Sequence, residues 1–155
     1  MLRRFLLLAI AVVPTATAQK YAGPRPPQAD LPYLKHAENL IPTEALEAKE
    51  EKNKGDTLYI IDGANSSAKT PLASPIFLLQ AAKLVPERLQ LFKLDSKNGR
   101  REILFAPRHP PNAIRVEVTR LGSDLYRIEV DESLEPGEYS LSPEGSKQVF
   151  CFQVF

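Results

Sequence analysis

One cysteine, two histidines, one methionine and no tryptophan leave this chain poor in the side chains on which much protein chemistry is built. With Cys151 alone, no disulfide can form within the chain. A histidine-based transition-metal site draws three or four ligands from His, Cys, Met or carboxylate, and His36 and His109 are the only imidazoles. Glycine is modest, at 7 residues, and no Gly-x-Ser-x-Gly nucleophile elbow occurs. Neither sign of charge dominates, with 20 Lys and Arg against 19 Asp and Glu. A near-neutral chain lacks the electrostatic footprint of a nucleic-acid binder. Its densest basic stretch, Lys97 to Arg101, is interrupted by Asn98-Gly99, the signature of a solvated turn.

Long apolar runs are also scarce, and the one that exists stands at the start. Arg3 and Arg4 form a positive n-region, Phe5 to Val13 a short apolar run, Pro14 a break, and Ala16-Thr17-Ala18 a small-x-small cleavage site. That order is a secretory signal peptide, and the run is too short to span a bilayer. The expected division is a leader at 1–18, a Pro-rich extended or disordered arm at 19–30, and one domain at 31–155. Losing Arg3 and Arg4 takes the formal charge from +1 to −1. The expected location is the periplasm or the exterior, and no cysteine follows the cleavage site to take a lipid anchor.

Proline is abundant, 14 residues in all, which favours turns, edges and linkers over helices. From Thr57 onward the pattern is short β-prone segments divided by turn chemistry. Arg88 to Asp95 and Arg101 to Ala106 flank Ser96-Lys97-Asn98-Gly99 as a hairpin. Ile114, Val116 and Val118 alternate with polar residues, as do Tyr126, Ile128 and Val130, with a turn at Leu121 to Asp124. A first short strand is expected near Tyr33-Leu34. Thr43 to Lys54 admits two readings: Glu, Ala, Leu and Lys favour a helix capped by Thr43, whereas the narrow apolar stripe favours a charged edge strand turning at Asn53-Lys54-Gly55. The hairpin agrees better with the β pattern that follows. The expected architecture is all-β, an immunoglobulin-like two-sheet sandwich of about eight short strands with at most one short helix.

The stretch Leu134-Glu135-Pro136-Gly137-Glu138-Tyr139-Ser140-Leu141 resembles the turn that introduces a late strand in many bacterial immunoglobulin-like domains. A tyrosine so placed can hydrogen-bond back across the corner. With Thr70 to Pro75 upstream and the terminal Gln148-Val149-Phe150-Cys151-Phe152, the chain is similar to short exported bacterial β-sandwich proteins. The resemblance implies fold and export and carries no activity with it.

Four candidate sites arise from the residues. Ser66-Ser67-Ala68-Lys69 has the Ser-x-x-Lys spacing of penicillin-recognising acyl enzymes, but neither Ser-Asp-Asn nor Lys-Thr-Gly follows. A surface loop is the simpler reading, and Asn65-Ser66-Ser67 is also a glycosylation sequon. His36 and His109 are the candidates for an envelope metal carrier, and His109 lies in a stiff Pro-Arg-His-Pro-Pro turn. Cys151 sits among apolar residues, where burial silences a thiol. The carboxylates Glu44, Glu47, Glu50 and Glu51 lack the spacing of a calcium loop.

One pattern resists a simple sandwich. Leu58 to Ile61, Ile76 to Leu79 and Val149 to Phe152 are apolar on both faces, although a strand in a two-layer sandwich has one wet face. Either the chain covers the second face or a partner does, through self-association or a bound protein. The function expected is that of an exported, non-catalytic binding or structural protein without catalytic residues, cofactor or metal. The alternatives are a small hydrolase or acyl-transfer enzyme using Ser66 and Lys69, and a metal carrier using His36 and His109.

Overall fold

The computed structural model describes residues 20–155, and the expected leader at 1–18 lies outside the described residues. In chain order the strands are β1 (Tyr33–His36), β2 (Asn39–Pro42), β3 (Glu44–Glu47), β4 (Lys49–Asn53), β5 (Asp56–Asp62), β6 (Lys69–Thr70) and β7 (Ile76–Gln80). There follow β8 (Leu89–Lys97), β9 (Arg100–Phe105), β10 (Val116–Gly122), β11 (Leu125–Val130), β12 (Gly137–Pro143) and β13 (Gln148–Val154). A 3₁₀ turn at Pro86–Arg88 is the only helical element among the described residues. The described residues are therefore all-β, with thirteen strands rather than about eight. The excess arises largely before Thr57, where tight turns divide the chain. Ala37, at φ 53°, lets β1 fold back onto β2.

Thr43 to Lys54 holds no helix but the two strands β3 and β4, broken at Ala48, with the turn at Lys54 that the hairpin reading requires. Lys54 and Gly55 adopt φ of 51° and 90°, the left-handed pair that joins β4 to β5 with the right twist. Asn98 and Gly99, at 55° and 73°, make the same turn between β8 and β9. The β10–β11 hairpin is also where the alternation placed it.

A five-stranded antiparallel sheet, ordered β10-β11-β7-β1-β2, packs against a larger sheet. Phe77, Leu79, Leu34 and Ile128 from the first meet Leu91, Tyr139, Leu141, Phe150 and Phe152 from the second. Phe77 and Phe152 pack edge-on at 5.0 Å, and Tyr139 stacks on Phe152 at 5.6 Å. Each such ring, fully buried, contributes about 1.5–3 kcal/mol. The Tyr139 hydroxyl donates to the Glu135 carbonyl at 2.7 Å, so the tyrosine does bond back across its corner.

The larger sheet runs β3-β13-β12-β8-β9-β5-β4, with β6 added in parallel to β13. Its two ends, β3 and β4, are one stretch of chain interrupted only by Ala48. β3 pairs with β13 while β4 pairs with β5, so the sheet curls until it closes on itself. Long β8 makes this possible by pairing with β12 over Leu89–Leu94 and with β9 over Asp95–Lys97. Strands β8, β12 and β13 of the curl consequently have two dry faces, one toward the five-stranded sheet and one toward the interior of the curl.

That geometry answers the two-sided apolar pattern of Val149 to Phe152, whereas the outer face of β5 stays part-exposed, Leu58 pairing in register with the exposed Leu104. Phe150 and Phe152 face the other sheet, while Val149 and Cys151 pack inside the curl. On the five-stranded sheet, Phe77 and Leu79 face inward and Leu78 points outward, yet Leu78 has 0% exposure. Residues 20–30 form no strand. Their Tyr21 lies near enough to Glu38 and to Arg127, the register partner of Leu78, for both charges to act on its hydroxyl. The start of the arm thus lies near this side of the sheet. The arm is fastened by Asp30, whose carboxylate accepts from the backbone N–H groups of Ala82, Lys83 and Leu84 at 2.8–3.1 Å. No helix among the described residues is long and apolar enough to cross a membrane.

Candidate binding site

Period-two alternation sends every second residue of the curled sheet into its interior. On β9 these are Arg101, Ile103 and Phe105, and on β12 Glu138, Ser140 and Ser142. β5 supplies Tyr59 and Ile61, β8 supplies Gln90, Phe92 and Leu94, and β13 supplies Val149 and Cys151. The interior is therefore graded, ionic at one end, apolar in the middle and open at the other.

The ionic end is a plug. Arg101 is 1% exposed, with its Nε donating to the Gly63 carbonyl at 2.8 Å and Nη2 to the Asp62 carbonyl at 2.8 Å. Its Nη1 meets Glu44 Oε1 at 2.7 Å and lies 3.9 Å from Glu138 Oε1. Gly63 has φ +86°, a conformation that lets its carbonyl turn toward the guanidinium. Glu138 Oε1 also accepts from the Ser66 N–H at 2.6 Å. Two carboxylates share one guanidinium. Burial, with the Glu44 charge adding to it, raises the Glu138 carboxyl above its ordinary value, against the lowering effects of the Ser66 N–H, Arg101 and Lys69. The loop Gly63 to Ala68 lies across this end, tied by Ser96 Oγ to the Ala64 carbonyl at 2.6 Å and by the Gln153 N–H to the Ala68 carbonyl at 2.8 Å.

Above the plug lies a cavity of about 100 Å³. Ile61, Leu94, Ile103 and Val149 line its depth, and Tyr59, Phe92 and Phe105 its aromatic wall. Phe105 packs edge-on against both other rings, at 5.3 Å in each case, so the wall is rigid. The polar residues form one strip. Ser140 and Ser142 are neighbours on β12 with hydroxyls bonded to each other, Gln90 faces Ser142 across the β8–β12 pair, and Ser146 and Lys147 stand in the β12–β13 turn at the mouth. Burial, then Glu50, raises the Tyr59 phenol above its usual value.

The residues singled out from sequence do not meet in this cavity. Ser66 is not on the surface but 2% exposed, and its Oγ accepts from the Ala68 N–H at 3.2 Å in a local loop turn. Lys69 is exposed on β6, so the pair sits on a loop and a strand rather than on one helical turn. His36 ends β1 and His109 lies in the β9–β10 link, both exposed. Among the described residues no group of three or more His, Cys, Asp or Glu side chains could hold a metal. Cys151 has 0% exposure, and desolvation pushes its thiol up to about 12 despite Arg101 nearby.

Sequence reasoning missed the cavity and the plug. Alternation in Tyr59/Ile61, Phe92/Leu94 and Ile103/Phe105 was a usable signal, but it reads equally well as ordinary core. Comparison with family models, curated proteins and solved structures yields no match for this chain.

Proposed function

We propose that this is an exported binding protein that holds a small apolar molecule inside its curled sheet. The observation that carries the reading is a solvent-open cavity with apolar and aromatic walls and a single strip of polar groups, the usual make-up of a small-molecule site. Mouths of closed β-sheets are recurrent places for such sites. The interior offers no activated nucleophile: Cys151 is held protonated and Ser66 is engaged by its own loop. Nor is a partner needed to cover Leu79 or Val149, which are internal. Export by the 1–18 leader, and kinship with exported immunoglobulin-like proteins, belong to the same proposal. The Tyr139 corner bond and the two facing sheets support that kinship, while closure of the larger sheet departs from a simple sandwich.

The test is ligand-observed NMR with a panel of apolar probes of about two to four carbon atoms, the size a cavity of about 100 Å³ admits, on the mature protein and on Ala48→Leu. Ala48 is 4% exposed and lines the cavity, so added methyl groups occupy ligand space. Probe binding to the native protein, lost in a folded Ala48→Leu, supports the reading. Binding that persists in the filled variant overturns it.

A further inference from the structure

We infer that the ligand is a short neutral alcohol of about three carbons, its hydroxyl held between Gln90 and Ser142 and its alkyl chain against Phe92, Ile103 and Val149. This rests on the binding reading above and adds the ligand's chemical class. Size comes first. A cavity of about 100 Å³ is about two-thirds of the roughly 150 Å³ that admits the six carbons of benzene, which leaves room for about four non-hydrogen atoms. Six-membered rings and long chains do not fit. Charge comes second. Lys147 is the one charged residue in the lining among the described residues, and its ammonium meets Glu47, which lies outside the lining, at 3.9 Å. Below the apolar walls the Arg101 guanidinium is engaged by Glu44 and by the Asp62 and Gly63 carbonyls. An ionised ligand head would therefore be desolvated without a counter-charge, a far larger cost than a neutral polar head carries.

Hydrogen bonding comes third. Gln90 and Ser142 are register partners of the β8–β12 pair and share its inward face, so their Cβ atoms are neighbours at about 5 Å. Ser142 is hydrogen-bonded to Ser140, and whichever hydroxyl donates, one proton of the pair remains to give. The Gln90 amide adds donors and an acceptor oxygen. Ser146, at the mouth, turns its Oγ to the Gln148 N–H at 3.1 Å. A ligand hydroxyl both accepts and donates, so it answers the serine proton and the amide oxygen together. An ether or ketone answers only the donors. A hydrocarbon answers neither, and leaves both without partners as water leaves the cavity.

The experiment is an NMR chemical-shift titration of the mature protein with 1-propanol, its ether isomer methoxyethane, propionate and propylammonium, repeated on Gln90→Leu, Ser142→Ala and Ala48→Leu. With so few atoms the dissociation constant is expected at roughly tens of micromolar or weaker. Expected is a preference of at least about fivefold for 1-propanol over methoxyethane, with shifts at Phe92, Ile103 and Val149, and no saturable binding of either ion. Gln90→Leu should bring 1-propanol to the level of methoxyethane and leave the ether's affinity within about twofold. Ser142→Ala, a smaller change, should cut the preference at least about twofold, and it carries the test if Gln90→Leu does not fold. Equal affinities in the native protein, a preference for an ion, or a preference unchanged in both variants overturns the alcohol assignment while the cavity reading stands. The assignment also fails alone if 1-propanol does not bind but apolar probes of two to four carbons do. If a folded Ala48→Leu binds 1-propanol as well as the native protein does, or if no probe of this size binds at all, both fail.

Discussion

Arg101→Met tests whether the plug holds the curled sheet closed. The side chain is 1% exposed and bonds Glu44 and the carbonyls of Asp62 and Gly63. Methionine matches its length, removes its charge, and leaves those acceptors without a donor. Breaking a buried ion pair from one side costs about 3–5 kcal/mol, because the remaining partner is then a buried unpaired charge. Glu44, 19% exposed, can recover some hydration, whereas Glu138 at 4% cannot. The expected loss stays within that range, about 10–20 °C in melting temperature for a chain of this size. Circular dichroism melts near pH 7 read it directly.

The pH dependence makes the test specific. Burial, with the Glu44 charge, raises the Glu138 carboxyl in the folded state, while Arg101 lowers it. A raised carboxyl contributes stability that is present below its unfolded value and lost as pH rises through the folded one. Removing Arg101 raises Glu138 further, so the deficit of Arg101→Met should shrink as pH falls to about 5. Adding Glu138→Gln, which keeps an acceptor for the Ser66 N–H, should recover part of the loss at neutral pH. A deficit under about 1 kcal/mol, equal at both pH values, would refute the plug as a stabilising device.

Thiol labelling of Cys151 should be slow in the native protein and fast in denaturant, because the thiol is buried and pushed up to about 12. Rapid native labelling would place it at the surface. Phe152→Ala should lose about 3–5 kcal/mol in denaturant titration, since the ring is fully buried between Phe77 and Tyr139. Although burial raises the Asp30 carboxyl, the N–H donors of Leu84, Ala82 and Lys83 and the Lys83 charge hold it below its ordinary value. Its contribution should be present at neutral pH and lost as pH falls through that lowered value, and Asp30→Ala should speed proteolysis of the 20–30 arm. Amino-terminal sequencing of the exported protein should read from Gln19, and a terminus retaining Phe5 to Val13 would make that segment an anchor.

Local elements were legible where one strand pair carries its own evidence. Asn98-Gly99 and Lys54-Gly55 name their turns, and the alternation in Val116/Val118 and Ile128/Val130 names two faces of one hairpin. Strand number was less legible, because pairs such as Lys69–Thr70 exist only through a neighbour, here β13. Ser66 illustrates the limit for sites. A serine between polar residues reads as surface, and only the fold brings Glu138, 72 positions away, onto its N–H.

Closure of the larger sheet depends on where β3 and β4 find their partners, 101 to 107 residues apart along the chain for β3 and a tight turn away for β4. No local pattern reports that division. Yet the sequence held its consequence, since apolar residues on both faces of Val149–Phe152 require two dry environments. A simple sandwich supplies one, and a curled sheet packed against a second sheet supplies two. The proposed binding role rests on the same geometry. A closed curl whose inward residues were all large would be solid core, but Ala48, Ser140 and Ser142 are small and leave the mouth unfilled. Filling that space with Ala48→Leu should stabilise the fold or leave it unchanged in denaturant titration, as the proposed binding role requires, and a loss above about 1 kcal/mol would mean that Ala48 is small for packing.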